Sequence, residues 1–467
     1  MMVNKRYFKG HLLIIVRKFN KLLLKLKYYK TEYKFSYLKK GQTLKVATLK
    51  EMAAIYKAYK KYDKEKACLA AILEQQPENM QALYGMATIN SRLGFWDDSI
   101  EGFKKVLVNL EQEDSPFSVN NERLFLAASK KVIHAFLIQN NAEACINRRL
   151  AIYERLGGPK DVSEIYKIHY GKTPAIIKTD MFRAGLSGFY ICTHYPNGKF
   201  EPFLEKCCKP GSNEPEIYKA ISNYRLFEKN STMKVPDLKG SIERANYIKL
   251  FLSYVDGITL NKSNVNGVVC YNLGFILGEI GRSFDKVFEE RGVKLRPLKN
   301  FKVKEVINYF SRQEYDEVKK YWQILDGFFG QRKELIAARN KLPTLFAHND
   351  LGLQNILLNK NNEYVVLDWE HAGFNTAGSD IGHVLSSKKF EKAEEKGIIN
   401  EFEKKMIEGY LNSINKNHPY VSKDEIIVSY NLQFINAKLN GALRRHDFKL
   451  FKRIARRCEL VRKMLDL

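Results

Sequence analysis

The segment His348-Asn349-Asp350-Leu351-Gly352-Leu353-Gln354-Asn355, with Asp368 at the end of the next apolar run, constrains this chain more than any other feature of its 467 residues. Two short apolar runs, Ile356 to Leu358 and Tyr364 to Leu367, flank Asn359-Lys360-Asn361-Asn362-Glu363. Strand formers around a polar, turn-forming centre predict a β-hairpin, which returns Asp368 to the side of Asn355. One site is thereby assembled from two segments. The residue types suit phosphoryl transfer from a nucleotide, which needs a carboxylate to orient the acceptor hydroxyl and take its proton, and oxygen ligands that hold Mg2+ against the phosphates. Asp350 fits the first role and Asn355 and Asp368 the second, while His348 braces the loop from behind.

In this pattern, and in Asp368-Trp369-Glu370 where protein kinases carry Asp-Phe-Gly, the chain resembles the aminoglycoside phosphotransferase and choline kinase superfamily, the small-molecule branch of the protein-kinase-like fold. Ala372-Gly373 and Ser379-Asp380-Ile381-Gly382 match the family's tail, and the resemblance implies that Asp380 ties down the catalytic loop. One departure is visible: Asn349 stands where the family usually has Gly, and Asn tolerates positive φ better than most residues. The implied fold class is α+β, a bilobal phosphotransferase domain with an N-lobe at 177–260 and a C-lobe at 261–467, using ATP and Mg2+.

The resemblance also implies a nucleotide-binding lobe upstream, with a glycine turn, a strand lysine and a helix glutamate in that order. Ala184-Gly185-Leu186-Ser187-Gly188 is such a turn, with Ser187 and Gly188 over the phosphates. Phe189 to Tyr195 reads as a strand, Pro196-Asn197-Gly198-Lys199 as a hairpin turn, and Phe200 to Cys207 as the returning strand that carries Lys206 to the α and β phosphates. Glu214 and Glu216 open a helix over Pro215 to Phe227; Glu214, four residues before Tyr218, is the expected partner of Lys206. Tyr247 to Tyr254 resembles the family's hinge, with Leu252 and Tyr254 as adenine contacts. Helices between 265 and 340 and after 385 would build the acceptor pocket.

The region 46–160 carries a helical repeat pattern. Gln81 to Leu93, a turn at Gly94 to Asp98 and Ser99 to Leu110, with Phe103 inward, match a tetratricopeptide-like pair. Tyr62 to Pro77 reads as the closing helix of an earlier pair, and Glu122 to Gln139 with Ala142 to Leu156 as a third that ends at Gly157-Gly158-Pro159. Two roles stay open: a concave surface for a protein partner, and a helical prop for the adjoining lobe.

Residues 1–45 are different. The first forty hold twelve Lys or Arg against one Glu, out of a whole-chain excess of +26. Leu12, Ile15, Val16, Phe19, Leu22, Leu23 and Leu26 form an apolar stripe flanked by lysines, so residues 1–30 suit peripheral contact with an anionic membrane or packing on the protein. The stripe is too interrupted to span a bilayer, and no nucleic-acid module accompanies the charge. Seven scattered cysteines without a CxxC suggest a reducing cytoplasm and no structural zinc.

These features point to ATP-dependent transfer to a hydroxyl of a small molecule or glycan, such as a lipid-linked or capsular sugar or a choline-like alcohol. Basic clusters at Arg444-Arg445 and Arg453 to Arg457 favour an acceptor near a membrane. Two alternatives are a catalytically silent kinase-like scaffold, which intact Asp350, Asn355 and Asp368 disfavour, and a protein kinase, which the absence of Asp-Phe-Gly and Ala-Pro-Glu disfavours.

Overall fold

A computed structural model describes residues 26–38, 41, 43–112, 118–182, 188–227, 233–289, 316–387, 389–390, 399–415, 420–445 and 448–466. The first part is all helical: α1 (26–38), α2 (Val46–Ala58), α3 (Tyr62–Gln75), α4 (Met80–Leu93), α5 (Trp96–Glu111), α6 (Val119–Ile138), α7 (Ala142–Arg155) and α8 (Gly158–Tyr170). Side-chain caps start three of them: Asn79, Ser118 and Asn141 each accept a backbone N–H of the first turn. Helix α5 begins at Trp96, earlier than the expected Ser99, because Asp97 and Asp98 suit the positive end of a helix. Ser99 Oγ donates to the Ala87 carbonyl at 2.8 Å, and Gly102 leaves room for Ala87, so small residues let α4 and α5 approach closely. Gly157-Gly158-Pro159 ends α7 but also opens α8, a helix the sequence reading missed. Gly157 takes a left-handed φ of 72°, and Pro159 occupies the first turn of α8, where its missing N–H needs no partner.

A five-stranded sheet follows, in the order β1-β2-β3-β6-β5, from β1 (Ile177–Met181), β2 (Tyr190–Pro196), β3 (Phe203–Cys208), β5 (Leu238–Glu243) and β6 (Ile248–Ser253). Strand β3 starts later than the expected Phe200. The turn is a longer loop, held by Asn197 Oδ1, which accepts from the Ile176 N–H, and by Phe200, whose ring meets Tyr166 and Tyr170. Side chains alternate across a strand, so β3 serves two faces at once. Phe203, Glu205 and Cys207 face α6, α7 and α8, whereas Lys206 and Cys208 face the other way.

The helix-facing side is one apolar core with a charged centre. Tyr190, Cys192 and Cys207 pack among Phe125, Val132, Ile152 and Tyr153 of α6 and α7, and Tyr166 of α8 stacks on Phe203 at 4.5 Å. Within it, fully buried Glu205 accepts from Tyr190 Oη at 2.6 Å and pairs with His194 Nε2 at 2.9 Å. Fully buried Lys249 lies 3.7 Å from Glu205, pairs with Asp161 and donates to the Leu156 carbonyl at 2.9 Å. The helices nearest the sheet therefore share its core, as expected of a prop. Removing one member of such a network strands the others without their charge partner, so Lys249→Met is expected to lower the unfolding free energy by about 3–5 kcal/mol in chemical denaturation.

The remaining elements complete the first lobe and build the second. Helix α9 (Glu214–Asn223) ends sooner than the expected Phe227, since Arg225 and Phe227 adopt positive φ of 50° and 69°. After β4 (Met233–Lys234) and β7 (Gly257–Thr259) come α10 (Gly267–Glu289), α11 (Asp316–Gly330), α12 (Arg332–Lys341) and β8 (Thr344–Ala347). The expected hairpin is β9 (Ile356–Asn359) with β10 (Tyr364–Val366), in register Val366↔Ile356, and β4 and β7 flank it. Strand β11 (Gly373–Thr376) pairs with β8; α13 (Ser379–Leu385), α14 (Ile399–Ile414), α15 (Lys423–Arg445) and α16 (Phe448–Met464) follow. Helices α10 and α14 touch through glycines: a Cβ on Gly274 would lie 1.9 Å from the Met406 carbonyl oxygen.

The C-terminal arginines are partly internal. Arg457 donates to Glu403 at 2.5 Å and Asn431 at 2.6 Å, and buried Arg453 lies over the Phe434 ring, which removes both from the basic surface inferred from sequence. The amphipathic stripe lies outside the described residues except for Leu26, and among the described residues no helix is long and apolar enough to cross a membrane. All seven cysteines are buried, and none of them is in a disulfide.

Candidate active site

On the face of the sheet away from the helical region, Lys206 emerges from β3 with 4% of its surface exposed. Its ammonium lies 2.7 Å from Glu214 Oε2 and also pairs with Asp368 Oδ1. Burial opposes the lysine charge, but Glu214, together with Asp368, more than offsets it and holds the group well above its ordinary value. Glu214 is fully buried as the first residue of α9, whereas Glu216 points outward and pairs with Lys219 at 3.1 Å. The geometry thus brings Lys206 and Glu214 together, and not Lys206 and Glu216.

The catalytic-loop segment is held by buried hydrogen bonds behind it. The carboxylate of Asp380, at the start of α13, accepts the backbone N–H of His348 at 2.6 Å and of Asn349 at 2.8 Å. Burial pushes its pKa up to about 6, against the pull of those two donors. His348 Nε2 donates to the Leu367 carbonyl at 2.9 Å, which fixes the proton on that nitrogen, and its ring packs 4.9 Å from Trp369. Burial lowers its pKa to about 4, so the imidazole is neutral near pH 7. His348 thus ties the loop to Leu367 and Trp369, while Asp350 is half-buried.

Asn349 adopts φ of 64°, the conformation that glycine would supply. Its side chain also does what glycine cannot: Nδ2 donates to Gly373 at 3.0 Å, and Oδ1 accepts from Asn375 at 2.7 Å, which ties the loop to β11. Asn355 Nδ2 donates to the Asp350 carbonyl at 2.9 Å, and the Asn355 carbonyl accepts the Leu367 N–H at 2.9 Å. That last bond sets the two segments side by side. Asp368 then turns left-handed, with φ of 66°, and its carboxylate comes within 4.8 Å of those of Glu214 and Glu370. Three hard oxygen donors suit a divalent cation such as Mg2+. Glu370 was not singled out from sequence, because a carboxylate two residues past Asp368 gives no local hint of which way it points.

Ser187 lies outside the described residues. Gly188 sits so close to β3 that a Cβ would be 2.5 Å from the Cys207 carbonyl oxygen, and its own carbonyl accepts from Lys130 of α6 at 3.4 Å. At the hinge Leu252 is buried, and the Tyr254 ring meets Tyr195 edge-on at 5.6 Å. The N–H groups of Ser253 and Tyr254 donate to the carbonyls of Asp237 and Pro202.

A sequence profile described as choline/ethanolamine kinase matches residues 196–437, more than half of the chain. The chain belongs to the choline/ethanolamine kinase family. It is an ATP-dependent phosphotransferase that acts on a small-molecule hydroxyl. No curated protein matches it in sequence. Among solved structures, spectinomycin phosphotransferase APH(9)-Ia with ADP and spectinomycin is similar at 13% identity, covering 66% of this chain and 98% of its own, with a TM-score of 0.40. The choline kinase LicA of Streptococcus pneumoniae is 13% identical over 66% of this chain and 99% of its own, with a TM-score of 0.36. An ethanolamine kinase of Plasmodium vivax is 14% identical over 78% of this chain and 95% of its own, with a TM-score of 0.39.

Within this choline/ethanolamine kinase family member, Asn349 offers a direct test of the loop brace. Asn349→Gly keeps the backbone conformation but strands buried Asn375, so it is expected to destabilise the protein by about 1–3 kcal/mol in thermal or chemical unfolding. Asn349→Val adds backbone strain and is expected to cost more.

Proposed function

We propose that Asp350 is the general base of this enzyme, that Asn355, Asp368 and Glu370 hold Mg2+, and that Lys206, positioned by Glu214, grips the α and β phosphates of ATP. The single observation that supports this reading is the Lys206 ammonium shared between Glu214 and Asp368, the adjacency that a phosphate-gripping cation and a metal-holding carboxylate would need. When bound, Mg2+ would neutralise phosphate charge as it develops. The protein's own part is positioning. Asp350 orients the acceptor hydroxyl and accepts its proton, Gly188 lets backbone approach the phosphates, and Asp380 and Asn349 hold the loop rigid. Leu252 and Tyr254 line the adenine end, where the hinge carbonyls accept from the base.

Asp350→Asn is expected to lower phosphoryl transfer by about 10²–10⁴-fold while ATP affinity, read by calorimetry, stays within about twofold. Normal turnover in that variant would remove Asp350 from the role. Lys206→Met should instead act on the nucleotide, raising KM for ATP and lowering kcat together.

For the acceptor we propose a choline-like amino alcohol, the class in the family's description. The net charge of +26 favours a second reading, an anionic acceptor such as a lipid-linked or capsular sugar. ADP release measured over choline, ethanolamine, sugars and aminoglycosides separates them: turnover on an amino alcohol supports the first, and turnover on sugars alone replaces it with the second.

A further inference from the structure

A cavity of about 740 Å³ opens between the helical region and the sheet, bounded by α4, α5 and α6 on one side and by Phe189, Lys209 and Asn246 on the other. Asp350, Asn355, Lys206 and Asp368 do not line it; it adjoins the candidate active site through Lys130, which donates to the Gly188 carbonyl. Arg123, Lys130, Lys131, His134 and Lys209 reach its walls, and no Asp or Glu is among the lining residues. Trp96, Phe103 and Phe189 supply ring surfaces, with Trp96 half exposed at 52%.

Two separate elements converge on one charge here. Lys130 of α6 and Lys209 just beyond β3 face each other, and burial together with that repulsion lowers Lys130 to about 8, against the pull of Glu370. Bringing like charges together against a half-buried wall favours an anion between them. The volume lies within the range of small-molecule sites and far exceeds one inorganic phosphate, and the rings suit a planar group.

We propose that this cavity binds an organic phosphate bearing a flat ring, of the nucleoside diphosphate class, with the lysines on the phosphates and Trp96 against the ring. The site stands independently of the roles assigned to Asp350 and Lys206.

The full-length protein, with its ATP site saturated by magnesium and a non-hydrolysable ATP analogue, is titrated with uridine diphosphate. Calorimetry is expected to give one site per chain, weakened at least about tenfold in Lys131→Glu and in Lys209→Glu, and within about twofold of the parent in Lys219→Glu, a control on α9. Ligand-induced tryptophan fluorescence change is expected to vanish in Trp96→Phe, which retains binding and so shows that the reporter lies in this cavity. Absence of binding, equal affinity in Lys131→Glu and Lys209→Glu when circular dichroism shows both folded, or competition by the ATP analogue would overturn the proposal.

Discussion

The ammonium of Lys206 joins the two lobes. It leaves β3 of the first lobe, meets Glu214 at the head of α9, and reaches Asp368 at the end of the hairpin strand of the second. Coulomb attraction in a dry site is strong, but so is the cost of stripping water from each ion, and such a cluster is stable only when every charge has a partner. Here one cation answers two carboxylates with a third, Glu370, close by. The cluster therefore carries a surplus of negative charge around a single ammonium.

A second charged network lies on the opposite face of the same strands. Glu205 and Lys206 are neighbours in β3, and the pleat sends one toward α7 and α8 and the other toward the nucleotide side. The helical region is thus coupled to the strand that carries Lys206. Lys130 adds a further link, because its ammonium donates to the carbonyl of Gly188 just ahead of β2. Helices that could have been a tethered binding module are, at least from α6 onward, a wall of the enzyme.

Much of the site was legible because its chemistry is local in sequence. The spacing of His348, Asp350 and Asn355 and the apolar runs of the hairpin dictate a turn and two strands, and Asp368 follows at the strand end. Glu214 was preferred to Glu216 on spacing, and the helix start explains the difference: the first residue of α9 points into the lobe interface and the third points out to solvent. Strand and helix ends were less legible. Phe200 and Phe227 have the composition of strand and helix interiors, yet each ring is claimed by an aromatic partner elsewhere, Tyr166 and Phe284 respectively. Asn349 replaces glycine at a positive φ, and two of its side-chain hydrogen bonds involve residues 24 and 26 positions away.

By itself, then, the chain's order of residues determined which chemical groups are present, where turns and helices begin, and that a hairpin unites Asn355 with Asp368, because these follow from backbone preferences and side-chain periodicity over a few residues. Only the tertiary structure decided that Glu370 joins the carboxylate cluster, that Arg453 and Arg457 turn inward, and that α6, α7 and α8 close the back of the nucleotide-binding sheet. Those outcomes depend on burial and on charge partners far apart along the chain, and no local pattern encodes which distant surface will exclude the water.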